Sequence, residues 1–217
     1  PKQKMGMERE VIAEQGIWIG KKHYVLTVLD SEGVRYEKPK LKMMGISAVK
    51  SSTPAICRDN IKKSIDILMN GNQEELFDFL DTAKENFMKA NPEDVMFPRG
   101  VNNLKKYADR DTLYTKGTPI HVKGSLLFNK YLVEKNLDKK YEKIEEGEKI
   151  KFCYLKQPNP IFDTVFAVKN VLPKEFGLEE FIDYEKQWEK AFLESVEDIV
   201  DARGWKIKKS SSLFDFF

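Results

Sequence analysis

Residues 24–36 read Y-V-L-T-V-L-D-S-E-G-V-R-Y, and this stretch decides the first part of the fold. Its first six residues are β-branched, aromatic or aliphatic, which is typical of a strand. The next four, D-S-E-G, have turn chemistry, because Asp bonds to nearby backbone and Gly tolerates a positive φ. V-R-Y then forms the returning strand. The sequence therefore predicts a β-hairpin within residues 1–50.

Helical signals follow. Thr53 and Pro54 predict a helix start, with Thr53 as N-cap and Pro54 at the first helical position. Apolar residues at helical spacing predict a helix ending at Asn70-Gly71, a second over about 73–90 and a third over about 178–202. Their buried stripes are Ile61, Ile65 and Leu68, then Leu76, Leu80, Ala83 and Phe87, then Phe181, Tyr184, Trp188, Phe192, Val196 and Ile199.

The middle of the chain is mixed. Residues 121–128, 149–155 and 164–168 are predicted strands, and the charged residues 138–148 are predicted to be a solvated loop or an edge hairpin. The predicted fold class is α+β. A small β-hairpin platform (1–50) precedes a mixed helical and β domain (51–205) and a flexible C-terminal peptide (206–217).

Composition excludes several classes of protein. With 37 basic and 35 acidic residues the net charge is only +2, so only local clustering can argue for nucleic acid. No apolar run approaches the roughly 20 residues of a membrane span, and no signal-peptide pattern opens the chain. Cys57 and Cys153 are isolated, too few and too far apart for a disulfide scaffold or a zinc site, so we expect a reducing, cytoplasmic setting.

Motifs for catalysis are missing. The sequence has no P-loop, no nucleophile elbow, and only two histidines, His23 and His121. Asp109 and Asp111 form the one local Asp-x-Asp pair, in polar surroundings that favour a loop. Two-metal phosphoryl transfer needs rigidly held carboxylates that bind two ions about 4 Å apart. No apolar strand in this sequence presents such a pair of carboxylates. We therefore predict no catalytic residue, no metal ligand and no cofactor on this chain.

Basic residues cluster at two places. Lys21, Lys22 and Tyr24 lie at the mouth of the first predicted strand. There Lys22 and Tyr24 would share one face and suit a sugar-phosphate backbone; an ordinary basic strand entrance is the alternative. The second cluster interleaves cations with aromatic and turn residues, which suits phosphate contacts; the alternative is a solvated loop. Its members are Lys105, Lys106, Tyr107, Arg110, Lys116, His121 and Lys123.

The last eight residues, 210–217, read S-S-S-L-F-D-F-F. The serines form a short tether, and one helical turn would place Leu213, Phe216 and Phe217 together for insertion into an apolar pocket. Peptides that dock on ring-shaped sliding clamps have this pattern. The alternative is a tail that folds back onto its own core.

These pieces together resemble the C-terminal part of the family B DNA polymerases of T-even-type bacteriophages. The most specific match is K-L-K-M-M-G at 40–45 followed by K-S-S-T-P at 50–54. Other matches, in order, are M-E-R-E-V-I at 7–12, W-I-G-K-K-H-Y at 18–24, K-K-Y at 105–107, P-I-H-V-K-G at 119–124, N-P at 159–160 and S-L-F-D-F-F at 212–217.

The resemblance implies that residues 1–50 end the palm and that the thumb follows. It implies that Lys21, Lys22 and Tyr24 hold the primer end of the duplex. It also implies that the thumb contacts the newly made duplex through Lys106, Lys116, His121 and Lys123, together with the neighbouring Lys105. It implies that Leu213, Phe214, Asp215, Phe216 and Phe217 bind the sliding clamp. The family's metal-binding S-L-Y-P and D-T-D-S elements and its fingers motif K-x-x-x-N-S-x-Y-G do not occur here.

We therefore expect a larger partner polypeptide that carries exonuclease, palm and fingers and binds the Mg²⁺. Primer-template DNA and the sliding clamp are the other expected partners, in the infected bacterial cell. Pro1 favours one subunit of a split polymerase over an experimental fragment, because an initiator methionine is readily removed before proline. Two alternatives stay open: a stand-alone DNA- or clamp-binding accessory protein, and a nuclease that uses Asp109 and Asp111.

Overall fold

A three-stranded antiparallel sheet begins the described part of the chain. The computed structural model describes residues 9–208. The strands are β1 (Val11–Gly20), β2 (His23–Ser31) and β3 (Val34–Met44), with β2 in the centre. The Asp30 carboxylate accepts a hydrogen bond from the backbone N–H of Gly33 at 3.0 Å, which closes the β2–β3 turn. The predicted hairpin is confirmed, and β1 extends it to three strands.

Two amphipathic helices follow: α1 (Ala55–Asn70) and α2 (Gln73–Met88). All seven residues of their predicted stripes are buried. The helix α1 begins one residue later than predicted, since the carbonyl of Pro54, rather than that of Thr53, accepts the first helical bond, from Arg58 N–H at 3.0 Å.

The middle of the chain builds a second antiparallel sheet and a small hairpin. The sheet has the order β4 (Phe97–Gly100), β7 (Lys149–Tyr154), β8 (Val165–Val168), and the hairpin pairs β5 (Ala108–Asp109) with β6 (Leu113–Tyr114). The short helix α3 (Pro92–Val95) precedes β4 in sequence, and the short helix α4 (Leu104–Tyr107) lies between β4 and β5. The predicted strands at 149–155 and 164–168 are confirmed.

The predicted strand at 121–128 is wrong, because these residues belong to helix α5 (Ile120–Glu134). An apolar run alone does not separate a buried strand from a buried helix. The helix lies directly on β8: a Cβ at Gly124 would come within 3.0 Å of the backbone of Phe166 and Ala167. The absence of a side chain at Gly124 permits this close packing.

The predicted long helix at 178–202 is shorter in the structure. It consists of α6 (Tyr184–Trp188), a π-helical turn (Glu189–Leu193) and α7 (Glu194–Ala202). Phe181 belongs to a preceding 3-10 turn. The start of α6 is fixed by the Asp183 side chain, which accepts a hydrogen bond from Lys186 N–H at 3.1 Å.

Residues 138–148 contain no regular strand or helix, as predicted for a loop. They are not wholly solvated, however. Ile144 is buried, and its backbone N–H and carbonyl both bond to the side-chain amide of Asn129, at 2.7 and 2.8 Å.

The described residues divide into two units. One contains residues 9–50, 59–82 and 194–208, and its core combines the first sheet with apolar residues such as Ile61, Ile65 and Ile199. The other contains residues 51–58 and 83–193 and centres on aromatic contacts such as Phe128–Phe166 and Phe87–Trp188. The α+β class is confirmed, whereas the division at residues 50 and 205 into palm, thumb and tail stays a prediction.

The two cysteines, Cys57 and Cys153, are free and buried, and desolvation raises the pKa of each thiol to about 12. Among residues 9–208, no helix has both the length and the apolar character needed to span a bilayer.

Candidate nucleic-acid interface

Lys21 and Lys22 form the turn between β1 and β2. The flanking residues Gly20 and His23 are paired across the hairpin, and both lysines are exposed. Lys22 has a φ of 59°, which is left-handed and uncommon for a residue with a side chain. The prediction that Lys22 and Tyr24 share one strand face is therefore wrong. The two ammonium groups extend from a turn, and Tyr24 follows on β2.

Tyr24 lies in the middle of a cross-strand row. It pairs with Trp18 on β1 and with Met44 on β3, so the three side chains share one face of the sheet. Trp18 is 63% exposed and Met44 is 41% exposed. A Cβ at Gly16 would come within 2.7 Å of the Trp18 ring, so the indole covers the glycine and lies along the sheet. An apolar, partly aromatic strip thus adjoins the lysine turn.

Gly45 holds the lysine turn from the other side. Its φ is +74°, and a Cβ there would lie 2.6 Å from the backbone oxygen of Lys22. The last residue of K-L-K-M-M-G therefore packs against the turn of K-K-x-Y. Neither motif indicates this contact by itself, because it depends on the register of β2 with β3.

The second basic cluster is brought together by three short elements. Both α4 and β6 contact α5, and Lys105, Lys106, Arg110 and Lys116 are exposed around them. The first turn of α4 is fixed from a distance, because the Glu146 carboxylate accepts hydrogen bonds from the backbone N–H groups of Asn103 and, at 2.7 Å, Leu104. The charges therefore extend from a locally anchored framework.

Lys123 differs from its neighbours because it has an internal partner. Its Nζ lies 2.7 Å from Asp163 Oδ1, and the Tyr114 hydroxyl donates to Asp163 Oδ2 at 2.6 Å. Asp163 is buried, and its Oδ1 also accepts from Thr164 N–H at 2.6 Å. Desolvation lowers the pKa of Lys123, but the bonds to Asp163 and Tyr114 and their charges raise it above its ordinary value. Lys123 is thus a cation whose charge is balanced within the protein.

His121 lies half-buried in the first turn of α5, with its ring 6.4 Å from that of Phe152. Desolvation and the charge of Arg99 lower its pKa. Arg99 is itself engaged, since its Nη1 donates to the carbonyls of Ser52 at 2.7 Å and Pro98 at 3.0 Å. At neutral pH His121 therefore offers a neutral imidazole rather than a positive charge.

Asp109 closes the β5–β6 turn. Its Oδ1 accepts from Asp111 N–H at 3.0 Å, from Thr112 N–H at 2.8 Å and from the Thr112 hydroxyl at 2.9 Å. These bonds, the one from Thr112 N–H above all, lower the pKa of Asp109. Within residues 9–208, no three His, Cys, Asp or Glu side chains converge as a metal site requires. The predicted clamp-binding residues 213–217 lie outside the described part of the chain.

Comparison with known proteins confirms the resemblance. The chain is 31% identical to the DNA-directed DNA polymerase of Escherichia phage RB69 over 98% of its own length. It is 25% identical to the DNA-directed DNA polymerase of Enterobacteria phage T4 over 96%. It spans about a quarter, 24%, of the length of each of these relatives. No protein-family model matches it. The chain is therefore similar, over nearly its whole length, to part of a T-even-type phage DNA polymerase.

Proposed function

We propose that this chain positions primer-template DNA for a replicative DNA polymerase whose catalytic carboxylates belong to a separate, larger polypeptide. The observation that carries the proposal is the similarity of nearly the whole chain to one quarter of two phage DNA polymerases. The motifs with the family's metal-binding aspartates do not occur in its sequence. Nucleotidyl transfer by two Mg²⁺ ions would therefore depend on the partner.

Two exposed sets of cations would hold the DNA. Lys21 and Lys22 in the hairpin turn, with Tyr24 beside them, would contact the backbone at the primer end. Lys105, Lys106 and Lys116 would contact phosphates of the duplex. Contacts of this kind release counterions, so affinity for DNA should fall steeply as salt rises.

The first sheet supports a polypeptide partner. The exposed large apolar residues on it and on the 3-10 turn after it are Ile12, Trp18, Val34, Leu41, Met44 and Val49. Within residues 9–208 its outer strands, β1 and β3, each pair on one side only. Exposed apolar surface and unpaired strand edges are features that proteins normally cover. A stand-alone accessory protein has no need for such a seam, whereas a polymerase subunit would bury it against its partner.

The C-terminal residues Leu213, Phe214, Asp215, Phe216 and Phe217 would tether the assembly to the sliding clamp. Ending the chain after residue 208 should abolish capture by the phage clamp while leaving affinity for primer-template DNA unchanged. Unchanged capture of the truncated chain would refute the tether.

Primer extension with Mg²⁺ and deoxynucleotides tests the main proposal. The chain is assayed alone and then mixed with the phage polypeptide that carries exonuclease, palm and fingers. We expect extension only in the mixture. Extension by the chain alone would place metal ligands on it and refute the division of labour. No extension in either tube, with clamp binding intact, would favour the stand-alone accessory protein.

A further inference from the structure

The loop between β7 and β8 presents an apolar aromatic side chain to solvent. Phe162 is 87% exposed, the largest exposed fraction among the exposed large apolar side chains of residues 9–208. Its φ is 52°, in the left-handed region that a bulky side chain rarely adopts. An exposed ring on a strained backbone is unfavourable for folding alone, which points to a role in binding.

The loop that carries Phe162 is held in place on both sides. The Asn159 side-chain amide donates to the carbonyls of Lys156 and Asp163, both at 2.7 Å. The Asn159 carbonyl oxygens accept in turn, the side-chain one from Ile161 N–H at 3.1 Å and the backbone one from Phe162 N–H at 3.1 Å. Phe162 is therefore presented by an internally bonded loop rather than by a loose one.

The same loop is joined to the basic cluster. Asp163, the residue after Phe162, is the partner of Lys123 and of the Tyr114 hydroxyl. Tyr114 is two residues before the exposed Lys116, and the exposed Lys156 begins the loop. The Lys123–Asp163–Tyr114 contacts thus connect the residue after Phe162 to α5 and β6, the elements around which Lys105, Lys106, Arg110 and Lys116 are exposed.

We propose that Phe162 is a nucleic-acid contact that packs against the deoxyribose and base surface of DNA while the neighbouring lysines hold its phosphates. DNA fits this surface because it offers anionic phosphates and apolar sugar and base faces within one short distance. Lys123 acts as a positioning residue, since its ion pair with Asp163 fixes the loop. The inference rests on the proposed function and adds to it a contact that does not depend on charge.

The test uses the fact that a Phe162–DNA contact should not depend on salt concentration. The full chain is titrated against a fluorescein-labelled primer-template duplex at several salt concentrations. Phe162→Ala should weaken binding about tenfold at every salt concentration and leave the slope of log affinity against log salt unchanged. Phe162→Tyr keeps the ring and should restore binding. Phe162→Gly removes the ring and the backbone strain together, and should bind as weakly as Phe162→Ala.

A matched control is Val171→Ala, which removes another exposed apolar side chain, 64% exposed, from the same unit and should bind like the wild type. Wild-type affinity for Phe162→Ala, or a Phe162→Tyr variant as weak as Phe162→Ala, would overturn the inference and leave the proposed function standing. If Phe162→Ala weakened binding to the larger polypeptide but not binding to the duplex, the inference would be overturned in favour of a protein contact. Failure of the wild-type chain to bind the duplex would overturn both.

Discussion

A single methyl group at Gly45 should disturb the lysine turn of the K-K-x-Y motif. A Cβ on Gly45 would lie 2.6 Å from the backbone oxygen of Lys22 and 3.2 Å from the His23 ring. Real Cβ atoms do not approach other atoms within 3.0 Å. Because the nearer atom belongs to the backbone, the clash cannot be relieved by rotating a side chain. In Gly45→Ala the turn itself has to move.

The loss of stability in Gly45→Ala has two causes, backbone strain and a close contact, and a comparison with Gly33→Ala distinguishes them. A left-handed conformation costs an L-residue about 1–2 kcal/mol, and overpacking adds about 1–3 kcal/mol. We therefore expect Gly45→Ala to lower the free energy of unfolding by about 3 kcal/mol. Gly33 has a φ of +86°, and a Cβ there would meet no atom within 4 Å beyond its own chain neighbours. Gly33→Ala should therefore cost only the first part, about 1–2 kcal/mol.

Urea denaturation followed by circular dichroism measures both variants. Equal free energies of unfolding for Gly45→Ala and Gly33→Ala would refute the reasoning, since the close contact is the difference between the two sites. Primer-template affinity gives the functional result. Gly45→Ala should bind about fivefold more weakly, the effect of losing one exposed ion-pair contact worth about 1 kcal/mol, while Gly33→Ala should bind normally.

Three further predictions concern the second basic cluster. Lys123→Met should lower the free energy of unfolding by about 2 kcal/mol, because it leaves the buried Asp163 without its cation. The exposed control Lys130→Met should change the free energy of unfolding by less than about 0.5 kcal/mol. Urea denaturation measures both variants. Lys116→Ala should reduce the slope of log affinity against log salt by about 0.9, and an unchanged slope would argue against a phosphate contact. His121→Gln should leave that slope unchanged at about pH 7.5, because burial lowers the pKa of the imidazole and keeps it neutral; a smaller slope would show that His121 binds as a cation.

Local sequence signals predicted most of the fold where one signal dominated. The β2–β3 turn and the stripe Ile61, Ile65, Leu68 each depend on contacts between near neighbours in sequence, and the structure confirms both. The prediction of a strand at 121–128 was wrong because the apolar run there fits either a strand or a helix, and the choice depends on packing against β8. That packing in turn requires Gly124, whose role is visible only once the facing strand is known.

The candidate site was predictable in its residue types and less so in their partners. The clustering of lysines with aromatic residues can be read from the sequence alone. The pairing of Lys123 with Asp163 joins residues 40 positions apart, and the contact of Gly45 with Lys22 depends on sheet register. Sequence spacing carries no information about either. The sequence signal that could have indicated Phe162 is N-P-I-F-D at 159–163, in which turn-forming residues flank a large aromatic residue.

The internal partner of Lys123 sets a limit on the electrostatic part of DNA binding. The predicted lysine contacts that remain exposed are Lys21, Lys22, Lys105, Lys106 and Lys116. Five phosphate contacts give a slope of about −4.5 in log affinity against log salt, and adding Lys123 would give about −5.4. Opening the ion pair to reach a sixth phosphate would leave the Asp163 charge buried, which costs more than an exposed lysine–phosphate contact returns. The shallower slope is therefore expected, and the affinity that persists at high salt must come from contacts without charge, such as Phe162.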